Sequence, residues 1–387
     1  MRTALKWIIR LLLVFVLAAV AVGLWQREQI TRLLAVNSLF SEEKIVHNFS
    51  NMNAAFLSTP VPRGNGPTAT LDYGPDASLP DEVNAWVNAR DVTALVVLKD
   101  GQIVHESYYQ GTAPEDLRIS WSVAKSYLSG LMGVLLDEGT IADIDDPVTK
   151  YAPALVGSAY DGATVRNVLN MSSGVEFDED YLDPQSDINK MGRVLALGGS
   201  MDDFAAAQDQ RFADAGTTWK YVSIDTHILS MVIRGATGRP IAELLSEKVI
   251  APMGLEVAPY YLTDGFGTAF VLGGLNLTTR DYARMGQMFL QNGRYNDRQI
   301  IPADWVAAST APSAPTEAGN IGYGYQWWIP ANAPEGEFMA RGIYGQYVYI
   351  NRARGVVIAT NAADRKFRED GVSAQNIAIF RAIANNL

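Results

Sequence analysis

Strand-forming residues cluster at the two ends of the chain beyond residue 75 and are scarce between them, and that distribution dictates the architecture. Residues 93–98 and 103–109 are rich in β-branched, aliphatic and aromatic side chains. Between them lies Lys99-Asp100-Gly101-Gln102, where Asp-Gly favours a type I′ hairpin turn. Toward the C-terminus, residues 323–329, 338–343, 347–350 and 356–360 again read as short strands, with a helix predicted over 373–384. In the middle, apolar residues recur at three- and four-residue spacing in 123–136, 165–171, 224–233, 241–250 and 282–290, which predicts helices. Gly139, Gly174 and Gly238 follow helical runs and Pro240 opens the next. The prediction is an α/β (α+β) fold: an antiparallel sheet formed by the N- and C-terminal parts, flanked by helices, with a mainly helical inserted lobe. No linker or repeat interrupts residues 76–387, so they are read as one two-lobed domain.

The first segment differs in kind. Residues 1–25 contain Arg2, Lys6 and Arg10 but no acid, and 11–25 run without a charge. The run from Trp7 to Trp25 approaches the roughly 20 residues that span a bilayer, with a Trp at each edge and Arg10 placed to snorkel. This predicts an uncleaved signal anchor. Ala19-Val20-Ala21 has the small-x-small form of a cleavage site, so secretion after cleavage is the alternative. Because the basic flank precedes the apolar run, the positive-inside rule leaves the N-terminus cytoplasmic. The expected location is the bacterial inner membrane, single-pass, with the domain in the periplasm. Residues 26–75 hold an amphipathic stretch near 30–40, a mostly polar run over 47–53, and then Pro60, Pro62, Gly64, Gly66 and Pro67. They read as a juxtamembrane spacer and irregular lead-in, so a fragment starting near Gly64 is expected to be soluble and active.

Composition removes several function classes. Lys and Arg number 31 against 42 Asp and Glu, for a net charge of −11, and no basic tract tracks a phosphate backbone; no nucleic-acid partner is expected. The chain has no Cys, which excludes thiol nucleophiles and Cys-ligated zinc, and its three His share no metal-ligand spacing. No metal and no cofactor are expected.

No G-x-S-x-G nucleophile elbow occurs. Ser122-Val123-Ala124-Lys125 does, at the start of a long apolar-faced helix. Residues i and i+3 share a helix face, so the Ser hydroxyl and the Lys amine come within hydrogen-bond reach. The helix N-terminus favours an oxyanion, and burial lowers a Lys pKa until the neutral amine accepts a proton. Ser41-Glu42-Glu43-Lys44 has the same spacing but acidic interior residues and no long buried helix behind it, so its Lys stays solvated.

From about Asp76 onward the sequence resembles the serine β-lactamase and penicillin-recognising superfamily, in particular its class C-like branch of esterases and 6-aminohexanoate-dimer hydrolases. Beyond Ser122 and Lys125, the resemblance rests on the run from Thr164 to Gly174, on Ala215-Gly216-Thr217-Thr218-Trp219-Lys220-Tyr221-Val222-Ser223, on Gly273-Gly274-Leu275, on the run from Tyr323 to Trp328, and on Gly342-Ile343-Tyr344-Gly345-Gln346-Tyr347, all in family order. It implies a β-lactamase/transpeptidase-like fold with Ser122 as nucleophile, Lys125 as base and Tyr221 as proton carrier. It further implies backbone N–H groups of Ser122 and Ile343 as oxyanion hole, and substrate contacts from Ser223, Gly342 and Tyr344. Tyr127 and Tyr349 match the bare Tyr motif but sit in core-like contexts.

Departures matter too. The family's Lys-Thr-Gly is absent, and the corresponding stretch is read as Ala340-Arg341-Gly342, with Arg341 turned away by strand alternation. Ser223 stands where the family has Asn. Both changes favour small esters or atypical amides over β-lactams. Glu176, Asp178, Glu179 and Asp180 are read as a solvated acidic loop, one of Trp327 and Trp328 as core, and His105 and His227 as non-catalytic. The leading expectation is a membrane-tethered serine hydrolase. The alternatives are a D,D-peptidase or β-lactamase acting on peptidoglycan-like substrates, and a non-catalytic sensor.

Overall fold

In the computed structural model, which describes residues 2–387, the two strand-rich ends meet in one sheet. Met1, where the expected anchor begins, lies outside the described residues, as do the side chains of Arg2, Thr3, Ala4, Ala19, Glu28 and Asn37. The strands are β1 (Val92–Lys99), β2 (Gln102–Tyr108), β3 (Gly322–Gly324), β4 (Trp327–Ile329), β5 (Glu337–Gly342), β6 (Gln346–Asn351) and β7 (Val356–Ala362). Their order is β2-β1-β7-β6-β5-β4-β3, antiparallel throughout. At the β1–β2 turn Asp100 and Gly101 have φ of 50° and 87°, both positive as a type I′ turn requires. The expected single strand over 323–329 is instead a hairpin: Gln326 takes φ 67° and Trp327 pairs back with Gly324. Its buried side chain pins the reversal, donating to Leu169 O at 2.9 Å and accepting from Thr226 Oγ1 at 2.8 Å.

Alternation along the strands divides the core in two. Val96, Leu98, Ala340, Val348, Val357 and Ala359 pack into the larger core with the inserted helices. Leu95, Val97, Met339, Tyr349 and Ile358 pack on the other side against Phe380 and Ile383 of the C-terminal helix. The helices that matter for the site are α1 (Arg2–Trp25), α2 (Arg27–Asn37), α3 (Ala124–Asp137), α4 (Asp187–Leu197), α5 (Ile224–Thr237), α6 (Thr279–Leu290) and α7 (Val372–Asn386). Within α1, the 21 residues Leu5–Trp25 are long and apolar enough to cross a membrane, and none of that window is buried. A signal sequence has the same properties.

Residues 38–69 are packed rather than loose. Leu39, Ile45, Phe49, Met52 and Val61 are all buried in the larger core. Arg118, itself buried, donates to Val46 O at 2.9 Å and to Thr93 Oγ1 at 3.0 Å, tying this segment to β1. This packing bears against the expectation that a fragment from Gly64 is self-sufficient. Sequence polarity over 47–53 hid Phe49 and Met52, which are both fully buried in the main core.

Candidate active site

Ser122 enters on a strained turn. The short strand Arg118–Ile119 pairs with Leu275–Leu277 and delivers the chain to Trp121, whose φ is 42°. A bulky residue held in the left-handed region costs about 1–3 kcal/mol and persists only where its surroundings over-determine it. Here an aromatic cluster does so: Trp121 packs against Phe49 at 5.6 Å, Phe40 at 5.9 Å and Tyr344 at 6.2 Å between ring centres. Ser122 follows, in a single 3₁₀ turn that runs straight into α3.

One turn further on, Lys125 Nζ lies 3.0 Å from Ser122 Oγ and 2.6 Å from Leu272 O. The Lys side chain is buried, and burial pushes its ammonium down to about 7, with the Glu179 carboxylate pulling the other way. Tyr221, in the turn before α5, stacks on Trp328 at 5.1 Å and holds its ring centre 5.5 Å from Lys125 Nζ. Burial and Glu179 push its phenol well above the ordinary value, while the hydroxyls of Ser122 and Ser223 and the Arg341 cation oppose this. Amine and phenol are thus driven apart, one toward a neutral base and the other toward a persistent acid.

The oxyanion-hole candidates are also adjacent. A Cβ added to Gly342 at the end of β5 would lie 2.7 Å from Ser120 O and 3.2 Å from Ser122 N, so only glycine lets this strand approach the nucleophile turn. Ile343 follows directly and borders both cavities that meet at Ser122. Ser223 is buried and binds Glu179 through its backbone N–H and through Oγ at 3.2 Å. Ser122, Lys125, Tyr221, Ser223, Gly342 and Ile343 are therefore brought together. Tyr344 is not. Its ring stacks on Phe40 at 4.9 Å and packs on Phe367 at 4.7 Å within the cluster around Trp121, and it lines neither cavity.

Two residues that the sequence reading set aside belong here. Glu179 turns inward from the acidic loop, accepting from Tyr181 Oη at 2.6 Å as well as from Ser223. Burial raises its carboxyl, against the hydrogen bond from Tyr181, the charge of Lys125 and the bonds from Ser223. Its neighbours Glu176 and Asp180 face outward to Lys220 at 2.9 Å and Arg368 at 3.1 Å. Arg341 also reaches the site. Strand alternation holds: Ala340 and Gly342 face the core and the Ser122 turn, and Arg341, on the opposite face, still reaches the charged cavity that Ser122 borders. The Arg341 guanidinium lies 5.4 Å over the Trp328 ring and donates to Ser373 Oγ at 2.9 Å. By contrast His227 is a buried partner of Asp202 at 2.8 Å, His105 bonds Ser107 at 3.1 Å, and Tyr127 is core.

Two cavities meet at Ser122, sharing Ser122, Tyr181 and Ile343. One, of about 330 Å³, is apolar and includes Trp121 and Ser223 in its wall. The other, of about 440 Å³, is charged and holds Glu179, Tyr221, Arg341 and Arg368.

A nucleophile turn and buried amine between a helical lobe and an antiparallel sheet define a serine hydrolase of the β-lactamase-related class. Residues 86–381 match the Beta-lactamase family model, and the chain belongs to that family. It is 32% identical over 280 residues to a 6-aminohexanoate-dimer hydrolase of Paenarthrobacter ureafaciens, covering 68% of this chain and 71% of that protein. Among solved structures, it resembles a candidate 6-aminohexanoate-dimer hydrolase from Bacillus anthracis at TM-score 0.82 and 24% identity, covering 90% of this chain and 95% of the other. It also resembles a candidate β-lactamase from Bacteroides dorei at TM-score 0.61 and 23% identity, covering 78% and 97% respectively. At these identities the two solved structures speak for the fold alone.

Proposed function

We propose that the protein is a membrane-tethered serine hydrolase that forms an acyl-enzyme on Ser122 and cleaves small esters or amides. Residues 1–25 serve as anchor, 26–75 as lead-in and 76–387 as a periplasmic hydrolase domain. The observation that carries this reading is the buried Lys125 amine 3.0 Å from Ser122 Oγ. In the neutral form that burial favours, it takes the Ser122 proton as Oγ attacks the carbonyl carbon. The N–H groups of Ser122 and Ile343 stabilise the resulting oxyanion. Collapse breaks the bond to the leaving group, which receives its proton through Tyr221, a phenol kept protonated by its surroundings. Water then attacks the acyl carbon and gives its proton to the Lys125–Tyr221 pair; the bond from the acyl carbon to Oγ breaks, the pair returns the proton to Ser122 Oγ, and the acid leaves.

Arg341 supports a cationic contact to polar or anionic leaving groups, which a Lys-Thr-Gly motif is not needed to supply. The test is fluorophosphonate labelling of the full chain with hydrolysis of an aryl acetate. Labelling at Ser122 and loss of both signals in Ser122→Ala are expected. Hydrolysis that survives Ser122→Ala would sink the reading. Fractionation tests the tether: the full chain stays with the membrane, whereas a soluble product beginning near Val22 would mean a cleaved signal.

A further inference from the structure

The apolar cavity beside Ser122 is built largely by parts of the chain that the hydrolytic chemistry does not use. Val36 and Phe40, at and just beyond the end of α2, form one wall, with Met52 and Phe56 beneath them. Helix α4 packs on α2 and presents Ile188, Gly192 and Leu195, at i, i+4 and i+7, to the same space. Among the described lining residues only Arg193 is charged, and it lies at the exposed rim, where it donates to Pro184 O at 2.6 Å. No Asp or Glu is among them.

The position of Tyr221 orients a substrate across the two cavities. The leaving group must lie toward its proton donor, and Tyr221 lines the charged cavity with Arg341 and Glu179. The acyl group, on the other side of the carbonyl carbon, then points into the apolar one. Resting on the reading of Ser122 as nucleophile, we infer that the enzyme selects an uncharged aliphatic acyl chain joined to a polar alcohol or amine, the chain seating between α2 and α4. An acyl group ending in an ammonium is disfavoured, because that charge would lose water without meeting a carboxylate. This separates the chain's substrate from the 6-aminohexanoyl unit in its relative's name. The cavity also adjoins the segment that follows the apolar helix α1, where an amphiphile leaving a bilayer would arrive.

Gly192 makes the idea testable. It lies mid-helix with ordinary backbone on the cavity wall, and a Cβ built there meets nothing within 4 Å, so a larger side chain starts in open space. A helical glycine also lowers helix stability, so Gly192→Leu does not weaken α4.

The experiment uses the full chain in lipid nanodiscs and compares para-nitrophenyl acetate, hexanoate, octanoate and 6-aminohexanoate. Each buried methylene is worth about three- to fourfold, so kcat/KM should rise at least about tenfold from acetate to octanoate. The hexanoate should exceed its amino counterpart by a similar factor. In Gly192→Leu the octanoate-to-acetate ratio should fall about tenfold, a ratio that does not depend on how much of a preparation is folded. Calorimetric binding of octanamide should fall in the same variant. A flat chain-length series, preference for the amino ester, or an unchanged ratio and octanamide affinity in Gly192→Leu would overturn the inference while Ser122-dependent hydrolysis stood. Hydrolysis independent of Ser122, with octanamide binding still lost in the variant, would instead remove the nucleophile and keep the aliphatic site.

Discussion

The two cavities that meet at Ser122 are made from different parts of the chain by different physics. The apolar one is walled by residues 36–56 and α4, where packing supplies shape but few polar partners. The charged one is walled by a loop carboxylate, Glu179, by Arg341 on the sheet and by Arg368 ahead of α7, each held by hydrogen bonds or ring contacts. In the proposed mechanism only Ser122, Lys125 and Tyr221 serve every substrate alike. The largest expected effect therefore falls on substrates of both cavities alike. Ser122→Ala should abolish turnover of every ester, whichever cavity its bulk occupies. Lys125→Ala and Tyr221→Phe should each lower kcat by roughly 10²–10⁴, and the losses should not add because the groups act as a unit. Near-native turnover by Lys125→Ala would remove the proposed base.

Next in size is a cut that spares the charged cavity and strips the apolar one. A chain beginning at Gln26 keeps the whole lead-in. One beginning at Gly64 loses Leu39, Ile45, Phe49, Met52, Phe56 and Val61 from the core. Large buried side chains are worth about 2–5 kcal/mol each, against about 5–15 kcal/mol for a whole domain, so the shorter chain should not fold stably. Thermal melts of the two products measure this, and matching transitions would show that the apolar wall is dispensable.

What could be read from the sequence follows the range of the interactions involved. Ser122 and Lys125 were legible because i, i+3 on a helix is a local relation. The hairpin at Asp100-Gly101 is equally local. Tyr221 lies nearly a hundred residues from Ser122 and needed the family resemblance to be placed. Trp327 and Trp328 obeyed strand alternation, the first buried against Phe289 at 4.4 Å and the second facing Tyr221. Glu179 was hidden because nothing within a run of acids tells which one turns inward; Tyr181 and Ser223 decide it, and Ser223 is remote in sequence. Arg341 was misplaced although its alternation was right, since a cavity that runs from Ser122 to the far side of the strand is a tertiary fact. The apolar cavity was invisible for the same reason, its wall lying in a segment whose polarity suggested a spacer.

Within the charged cavity, Arg341→Ala should act on some substrates and spare others. A charge-assisted hydrogen bond contributes about 1.5–3 kcal/mol, so an ester with a carboxylate on its leaving group should lose roughly ten- to a hundredfold in kcat/KM. A neutral aryl acetate should change far less. Steady-state kinetics on the two esters decide it. Equal losses on both would mean that Arg341 acts through Tyr221 and Trp328 rather than on the substrate.

The smallest effect is on the base itself, and it tells whether the charge of the second cavity reaches Lys125. Lys125 must be neutral to accept the Ser122 proton, and burial holds it near 7, so kcat/KM should rise with pH through about 7 and fall tenfold per unit below. Glu179 favours the ammonium, which places that limb higher than burial alone would. In Glu179→Gln the attraction is gone while a side chain able to accept from Ser223 remains, so the acidic limb should move to lower pH. The limb should move by the same amount for acetate and octanoate esters, since both use the same amine. A limb that stays in place would mean that Glu179, its carboxyl raised by burial, carries a proton across the working range and contributes hydrogen bonds but no field. A limb in kcat that moves for one ester only, while the kcat/KM limb moves for both, would show that the bound acyl chain resets the solvation of Lys125.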